Sequence, residues 1–358
     1  MLNMINIEGV NKKRGANLSK KNVSNIKVLL YAEWFKYISI SGVGRAVMHQ
    51  IKALEDNNIS YTTNYNDDFD MVHINTVGPK SYLLAKKSKK AGKKVIIHAH
   101  TTDEDFRDSF VGSNLVSKLF KRWLIIIYNL ADHLLTPTPF SKKILLGYGL
   151  NANIECISNG IDLDYFKKDI AFGQEFRKKY GFSEEDKIIL SVGLTIYRKG
   201  IFDFIELAKR LPQYKFAWCG HVNPILLPSD VKKILKNHPE NVYFLGYVEK
   251  EMMRGAYNGS DLFILLSHVE TEGIVILEAL AAKRKLLVRD IGAYEGWLVD
   301  GVNCHMGKEN NEFEEKIVKI LNGELADLTD KGYEVVEERA IKKIGEKLIN
   351  IYQKTLNK

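Results

Sequence analysis

The stretch at residues 267–282, whose sequence is SHVETEGIVILEALAA, contains one glycine and, among its acidic residues, two that lie eight positions apart, Glu270 and Glu278. Glu270 lies in a polar turn after an apolar run, and Glu278 lies eight residues later in a helical pattern. A helix N-terminus presents unpaired N–H groups to anions, and carboxylates accept hydrogen bonds from hydroxyl groups. The stretch therefore suits a ligand that is both phosphorylated and rich in hydroxyl groups, as a nucleotide sugar is.

Two adjacent cations form a second candidate, because Arg198 and Lys199 lie on the loop after a strand predicted at residues 187–192. Such a pair can neutralise a diphosphate, although two basic residues on a turn can also be an ordinary surface feature. The carboxyl ends of parallel strands meet at one edge of a sheet, where ligands bind. Since Glu270 is expected at that same edge, we favour a binding role for Arg198 and Lys199.

A glycine-containing loop, Ser41-Gly42-Val43-Gly44, follows the first predicted strand and precedes a helical pattern. Glycine allows a phosphate to approach the backbone, but it also allows the dihedral angles of a tight turn. The loop lacks the third glycine of the dinucleotide-binding fingerprint. Phosphate binding at Gly42 and a purely structural turn are therefore equally open interpretations.

His100 ends a strand predicted at residues 94–100, which would place its ring at the carboxyl edge of the sheet. A histidine at that edge can hydrogen-bond a substrate hydroxyl, or it can be a satisfied structural residue. His73 and His98 lie inside predicted strands, and we interpret both as structural.

The composition describes an ordinary soluble protein, with 45% apolar and 27% charged residues over 358 positions. That length favours two domains. Cys156, Cys219 and Cys304 share no metal-binding or redox spacing, which favours reduced thiols in a cytoplasmic protein. Residues 1–25 are polar and unlike a signal peptide, so we expect a flexible extension. The longest purely apolar run, residues 123–127, is too short to span a bilayer.

The positive charge is concentrated in the first half of the chain. Residues 1–165 hold 22 Lys and Arg against 15 Asp and Glu, whereas the remainder holds 30 against 29. A domain with such a surplus favours an anionic partner surface, either nucleic acid or anionic lipid.

Two helical patterns carry much of this charge together with apolar residues. The membrane-facing candidates are Lys86, Lys87, Lys89 and Lys90 in the first pattern, and Lys118, Lys121, Arg122 and Trp123 in the second. A helix that combines basic, aromatic and aliphatic residues suits the interface of an anionic membrane. The first pattern could instead be an ordinary solvated helix face, and the second could be a core helix of the first domain whose polar side is basic. Because the charge surplus lies in the same half, we favour the membrane.

The elements that must position these residues are alternating strands and helices. Strands are predicted at residues 26–35, 69–75, 94–100, 133–136 and 154–158, and then at 187–192, 215–219, 242–245, 262–266 and 285–288. The rhythm restarts after a polar segment at residues 163–185, and it predicts two doubly wound parallel-sheet domains. We place a flexible extension at 1–25, an acceptor- and membrane-facing domain at 26–165, a nucleotide-sugar domain at 166–331, and a helix at 332–358 that packs back on the first domain.

In this order the motifs resemble glycosyltransferase family 4, whose retaining enzymes have the GT-B fold of two facing Rossmann-like domains. The resemblance covers about residues 26–352 and is most specific at the E-x7-E element from Glu270 to Glu278. The supporting motifs are Ser41-Gly42-Val43, His100, Asn159-Gly160-Ile161-Asp162, Lys199-Gly200 and Gly246.

The resemblance implies a role for each matching residue. Lys199, together with Arg198, would bind the donor diphosphate, and no metal would be required. Glu278 would hold the ribose hydroxyls, while Glu270 and His100 would contact the transferred sugar. The backbone at Gly42 and at Gly273, Ile274 and Val275 would cap the phosphates.

Departures from the usual family pattern, such as Ala282-Lys283-Arg284-Lys285, are similar to the subset that glycosylates glycosyl-diacylglycerols. This resemblance implies transfer of glucose from UDP-glucose to monoglucosyldiacylglycerol, for membranes or lipoteichoic acid anchors, by a cytoplasmic enzyme peripherally bound to the inner face of the cell membrane. One alternative is a family member with a soluble, capsular or cell-wall acceptor. Another is a nucleic-acid-binding protein, but the chain lacks a zinc, RNP-like or recognition-helix pattern.

Overall fold

The computed structural model describes residues 26–38, 41–109 and 112–357, so the extension expected at 1–25 lies outside the described residues. The elements of the first half are β1 (Lys27–Tyr31), α1 (Phe35–Ile38), α2 (Gly42–Glu55), β2 (Ser60–Thr62), β3 (Met71–Ile74), α3 (Pro79–Lys90), β4 (Lys94–His98), α4 (Asp103–Phe106), α5 (Ser113–Tyr128), β5 (His133–Thr136), α6 (Pro139–Leu146) and β6 (Asn153–Cys156). Those of the second half are α7 (Leu163–Phe166), α8 (Ile170–Tyr180), β7 (Ile188–Val192), α9 (Ile201–Arg210), β8 (Lys215–Cys219), α10 (Ser229–Lys236), β9 (Val242–Gly246), α11 (Lys250–Gly259), β10 (Leu262–Leu265), α12 (Ile274–Ala281), β11 (Lys285–Arg289), β12 (His305–Gly307), α13 (Asn310–Leu321), α14 (Thr329–Glu337) and α15 (Ile341–Leu356).

The strands form two parallel sheets of six strands each within the described residues. The first has the order β2-β1-β3-β4-β5-β6, and the second has the order β12-β11-β10-β7-β8-β9. Strands β3, β5, β7 and β10 are buried at every residue, as expected when helices cover both faces of a parallel sheet. The prediction of two doubly wound parallel-sheet domains is confirmed.

Strand order reverses at one place in each sheet, between β1 and β3 in the first and between β7 and β10 in the second. Loops that leave the carboxyl ends of such neighbouring strands diverge to opposite faces, and the crevice between them is the usual ligand site of this architecture. The loops after β7 and β10 carry Lys199 and Glu270, respectively. Sheet topology therefore brings the strongest candidate residues to one crevice.

The C-terminal segment differs from the single helix expected at residues 332–358. The structure contains α14 and α15, separated at residues 338–340. The Ile161 N–H donates to the Arg339 carbonyl and the Ile341 N–H donates to the Ile161 carbonyl, so a short bridge replaces helical bonding there. Beyond this break, Ile344 and Tyr352 of α15 lie in the core of the first sheet. The boundaries drawn at residues 165 and 331 stay predictions.

Candidate active site

A buried ion pair lies in the crevice of the second sheet. The Lys199 ammonium donates to a Glu270 carboxylate oxygen at 2.5 Å. Lys199 ends a short 3-10 turn after β7, and Gly200 follows it with a φ of 77°. A Cβ at Gly200 would meet the Leu266 carbonyl oxygen, so this glycine lets the loop after β7 pack against the end of β10. The close approach of the two loops sets the short distance between Lys199 and Glu270.

The electrostatics of this pair reflect its burial. Burial lowers the pKa of Lys199, and the Glu270 charge only partly offsets that effect. Burial opposes ionisation of Glu270, but the charges of Lys199 and Arg198 outweigh it and leave the Glu270 pKa below its ordinary value. Glu270 is therefore ionised at neutral pH. A buried ion pair adds little net stability because desolvation offsets its attraction, so its presence in a crevice is better explained by ligand binding.

Arg198, unlike Lys199, forms hydrogen bonds with residues of both domains. One guanidinium nitrogen donates to the Val269 carbonyl at 3.0 Å, and another donates to the Ser109 hydroxyl of the first domain at 3.2 Å. Asp105, also in the first domain, lies 4.0 Å away. Arg198 thus bridges the two domains beside the Lys199–Glu270 pair.

Glu278 pairs with a residue that sequence reasoning missed. Its side chain is 1% exposed, and both carboxylate oxygens accept from one Arg45 nitrogen, at 2.6 and 2.8 Å. The Tyr257 hydroxyl donates to the same carboxylate at 2.5 Å. Arg45 lies on α2 of the first domain, one turn after Gly42. In this structure the carboxylate expected to hold ribose is occupied by a cation from across the cleft.

The backbone groups expected near the phosphates lie at helix starts. Gly273 has a φ of 83° and precedes Ile274 and Val275, which form the first turn of α12. Gly42 is the first residue of α2, and a Cβ built on it would meet no atom within 4 Å. Both helices are thus long enough, and the start of α2 is open enough, to receive an anion.

Glu272, between the two expected glutamates, is the second residue that the sequence did not reveal. It is buried, and its carboxylate accepts from the backbone N–H and the side-chain amide of Asn159 at 2.9 and 2.8 Å. Burial raises its pKa against the lowering effect of the bonds from Ser158 and Asn159. The Asn159-Gly160 turn was a visible signal, but its partner was not. Glu272 therefore joins the segment after β6, at Asn159, to the loop that carries Glu270.

His100 lies in a pocket of about 330 Å³ in the first domain, whose lining includes Glu33, Trp34 and Phe120. Its Nε2 is 2.9 Å from Oδ1, the side-chain amide oxygen of Asn75. Asn75 in turn exchanges two hydrogen bonds of 2.8 Å with Gln50. His100 is therefore held by Asn75, whose side-chain amide is fixed in turn by two hydrogen bonds with the side-chain amide of Gln50.

This network sets the protonation of His100. Burial lowers its pKa to about 3, so the ring is neutral at pH 7. The Asn75 oxygen can only accept, so the His100 Nε2 carries the proton and donates. The Nδ1 atom is left as an acceptor that a sugar hydroxyl can use. His98 stacks on His100 with ring centroids 4.1 Å apart, and its Nδ1 lies 3.0 Å from the Gln50 side-chain nitrogen.

An Asn75→Leu variant should lose about 1–3 kcal/mol of unfolding free energy, because Gln50 and His100 would each lose a buried partner. Urea denaturation followed by circular dichroism measures this loss, with the exposed Asn66→Leu as the matched control. In the same variant, ¹⁵N chemical shifts should show His100 losing its single tautomer. Equal denaturation midpoints for both variants would contradict the assignment.

The basic residues expected at a membrane lie on the outer faces of α3 and α5. Exposed side chains among them are Lys86, Lys87, Lys89, Lys90, Lys118 and Arg122. Lys121 is half-buried, with its ammonium 4.3 Å from the centre of the Tyr148 ring. Trp123 is also half-buried, and its indole N–H donates to the Val77 carbonyl. Exposed aliphatic side chains on α5 accompany the charges, namely Leu115, Val116, Leu119 and Ile126.

Two kinds of feature are absent from residues 26–38, 41–109 and 112–357. Within these ranges no group of three or more His, Cys, Asp or Glu side chains has the arrangement of a metal site. None of the helices there combines the length and the apolar character that crossing a bilayer requires.

Known proteins resemble this chain over nearly its whole length. The family model for glycosyl transferases group 1 matches residues 173–343, and the model for glycosyltransferase family 4 matches residues 59–165. A processive diacylglycerol alpha-glucosyltransferase of Acholeplasma laidlawii is 38% identical over 92% of this chain and 99% of its own length. An alpha-galactosylglucosyldiacylglycerol synthase of Streptococcus pneumoniae is 26% identical over 94% of this chain and 91% of its own. The crystal structure of Anabaena HepE in complex with UDP-glucose superposes with a TM-score of 0.74 at 17% identity, covering 92% of this chain and all of HepE.

Proposed function

The chain belongs to glycosyltransferase family 4, and from that premise we propose that it moves glucose from UDP-glucose to the sugar headgroup of a membrane glycolipid such as monoglucosyldiacylglycerol. The observation that carries the proposal is the 38% identity, over 92% of the chain, to a protein named as a diacylglycerol glucosyltransferase. The geometry of the site agrees with it, because the ion pair of Lys199 and Glu270 lies in the crevice where a nucleotide would bind. Transfer proceeds with retention of configuration, as the family resemblance implies.

Lys199 is the residue to which we assign most of the catalysis. Charge builds on the departing diphosphate as the glycosyl–phosphate bond breaks, and a prepositioned cation lowers that barrier. The Lys199 side chain is only 15% exposed and is held by Glu270, so it needs little reorganisation to face the diphosphate. The first turn of α12, at Ile274 and Val275, and the open start of α2 at Gly42 add backbone N–H donors.

The two glutamates do not form a hydrolase pair. Such a pair needs one protonated carboxyl group and one ionised carboxylate facing a single anomeric carbon. Glu270 instead pairs with Lys199, while Glu278 pairs with Arg45. We assign Glu270 to the hydroxyls of the transferred sugar and Glu278 to those of the ribose. In the reaction the bond from C1 to the phosphate oxygen breaks, the acceptor oxygen bonds C1 on the same face, and the acceptor proton passes to the departing phosphate.

His100, in the first domain, is proposed to bind a hydroxyl group of the transferred sugar. Its Nδ1 is positioned as an acceptor, and a sugar hydroxyl is a suitable donor for it. The carboxylate of Glu33 and the ring of Trp34 lie in the same pocket. A carboxylate, an imidazole acceptor and aromatic rings together suit a hexose, which presents hydroxyl edges and apolar faces.

We propose that the exposed surface of α3 and α5 contacts an anionic membrane and that the enzyme binds peripherally at the inner face of the cell membrane. Lys118 and Arg122 lie on the same exposed side of α5 as Leu115 and Leu119. Apolar side chains enter the interface while the basic ones meet lipid phosphates. The half-buried Trp123 supports the helix from beneath, because its indole bonds the body of the domain.

A Lys118→Gln/Arg122→Gln variant should bind anionic vesicles roughly thirtyfold more weakly, because each basic residue near such a surface contributes about 1 kcal/mol. Flotation with vesicles that contain phosphatidylglycerol measures the partition coefficient. The matched control is Lys178→Gln/Lys179→Gln, which removes two exposed charges from α8 of the second domain. If both variants lose the same affinity, general charge rather than this surface drives binding.

The proposed reaction is tested by incubating the protein with labelled UDP-glucose or UDP-galactose and vesicles containing diacylglycerol or monoglucosyldiacylglycerol. Chromatography of the lipids should show a labelled diglycosyl lipid from UDP-glucose, and NMR should show its new linkage as alpha. Label transferred only from UDP-galactose would overturn the donor sugar. Label found only in water-soluble products would overturn the lipid acceptor and favour a soluble one.

A further inference from the structure

A cleft of about 770 Å³ separates the two domains beside the candidate site. Its first-domain wall is formed by Ser109 and the start of α5, and its second-domain wall by residues near Ile225. Ser109 is buried and accepts a hydrogen bond from Arg198, the neighbour of Lys199. At the other extreme, Leu115 is 89% exposed and Ile225 is 81% exposed. The cleft therefore leads from the active site to an apolar rim.

The second-domain part of this rim, residues 223–227 with the sequence NPILL, is a built turn and is here called the rim turn. The Asn223 side chain accepts from the Ile225 N–H at 3.0 Å and starts a 3-10 turn. Leu227 packs with Val222 and Val231 in a small core. With its base anchored in this way, the turn leaves Ile225 and Leu226 facing outward, where Leu226 is 49% exposed.

Basic side chains flank the rim on both domains. Lys232, Lys233 and Lys236 are exposed on α10, directly after the rim turn, and Lys118 is exposed one turn after Leu115 on α5. Two acidic residues of the cleft are engaged locally, because Asp108 accepts from Asn114 and Asp230 accepts from the Val231 N–H. An apolar tip bordered by cations is the arrangement that enters the interface of an anionic bilayer.

We propose that the rim turn inserts into the anionic bilayer together with Leu115, so that the membrane contacts both domains. The acyl chains of the acceptor then pass out of the cleft between the rim turn and Leu115 and remain in the bilayer. This inference rests on the proposed function and deepens it. The sugar headgroup reaches Lys199 through the polar end of the cleft while the chains stay among lipids. The bilayer thereby contributes to the position of the second domain over the acceptor.

Insertion is tested with an environment-sensitive fluorophore (NBD) on Ile225→Cys, in a Cys156→Ser background because Cys156 is partly exposed whereas Cys219 and Cys304 are buried. The control is the same label on Val302→Cys, at an exposed apolar position before β12 on the opposite edge of the second sheet. With vesicles of phosphatidylglycerol and monoglucosyldiacylglycerol, the Ile225 label should brighten and be quenched by nitroxide lipids, while the Val302 label should not. An Ile225 label that stays in water on protein that floats with vesicles overturns the proposal.

A second variant tests the consequence for transfer. Ile225→Ser/Leu226→Ser should lower transfer to the vesicle-embedded glycolipid at least tenfold, because two apolar side chains no longer partition into lipid. Its dissociation constant for UDP, measured by calorimetry, should match that of the wild type and of Val302→Ser. If the wild type makes no glycolipid product, the proposed function fails. If the wild type makes it and the double variant makes it equally fast, only this inference fails.

Discussion

Replacing Lys199 by methionine should lower kcat for glucosyl transfer about a thousandfold, because removing one prepositioned donor from a developing oxyanion typically costs two to three orders of magnitude. Methionine retains the length of the side chain and removes only its charge. The ammonium is buried against Glu270, so water cannot readily take its place. Initial rates with labelled UDP-glucose and vesicle-embedded acceptor measure the effect.

The single variant also leaves the Glu270 carboxylate buried without its partner, which by itself can cost about 3–5 kcal/mol of stability. The control is therefore Lys199→Met/Glu270→Gln, in which both charges are absent. This double variant should regain most of the thermal stability and remain inactive. A folded double variant with near-wild-type kcat would remove Lys199 from the mechanism. Arg198→Met is expected to reduce kcat less, because its guanidinium already bonds Val269 and Ser109.

The buried strands could be predicted from the sequence because they are continuous apolar runs between polar turns. The predicted and observed bounds coincide for β5 and β8. The three-residue edge strands β2 and β12 were missed, since neither SYT nor HMG has an apolar run or an alternation that distinguishes a strand from a loop. Their assignment depends on pairing with β1 and β11, which is tertiary information.

The candidate site, too, contains some contacts that the sequence could predict and others that depend on tertiary structure. Lys199 and Glu270 could be placed together, because each follows a strand of one predicted sheet and the carboxyl ends of parallel strands share an edge. The contact between Arg45 and Glu278 joins residues 233 positions apart and depends on how the two domains face each other. No spacing or periodicity carries that information. The amide pair of Gln50 and Asn75, 25 positions apart, was hidden because one residue lies on α2 and the other directly after β3, and only the packing of that helix on the sheet brings them together.

A Glu278→Ala variant should raise KM for UDP-glucose on the order of a hundredfold and change kcat little. Hydrogen bonds to a carboxylate contribute about 1.5–3 kcal/mol each, and the two ribose hydroxyls lie far from the reacting carbon. Calorimetry with UDP measures the affinity directly. Circular dichroism must show a native fold, because Arg45 loses its buried partner in this variant. Unchanged UDP affinity in a folded variant would remove Glu278 from the ribose site.

If Glu278 holds the ribose as proposed, Arg45 competes with the ribose for that carboxylate. In this structure Arg45 and Tyr257 take three of the roughly four acceptor sites of the Glu278 carboxylate, so two ribose hydroxyls can both bind there only after Arg45 moves. A ligand that must displace an existing ion pair binds less tightly than one that meets a free carboxylate. Arg45→Ala should therefore strengthen UDP binding, by up to about tenfold. Weaker UDP binding would mean that Arg45 contacts the diphosphate once it is released from Glu278. The Arg45→Ala/Glu278→Ala variant separates these two roles of Arg45. If the losses of UDP binding free energy in the two single variants add up in the double variant, Arg45 and Glu278 contact the donor independently.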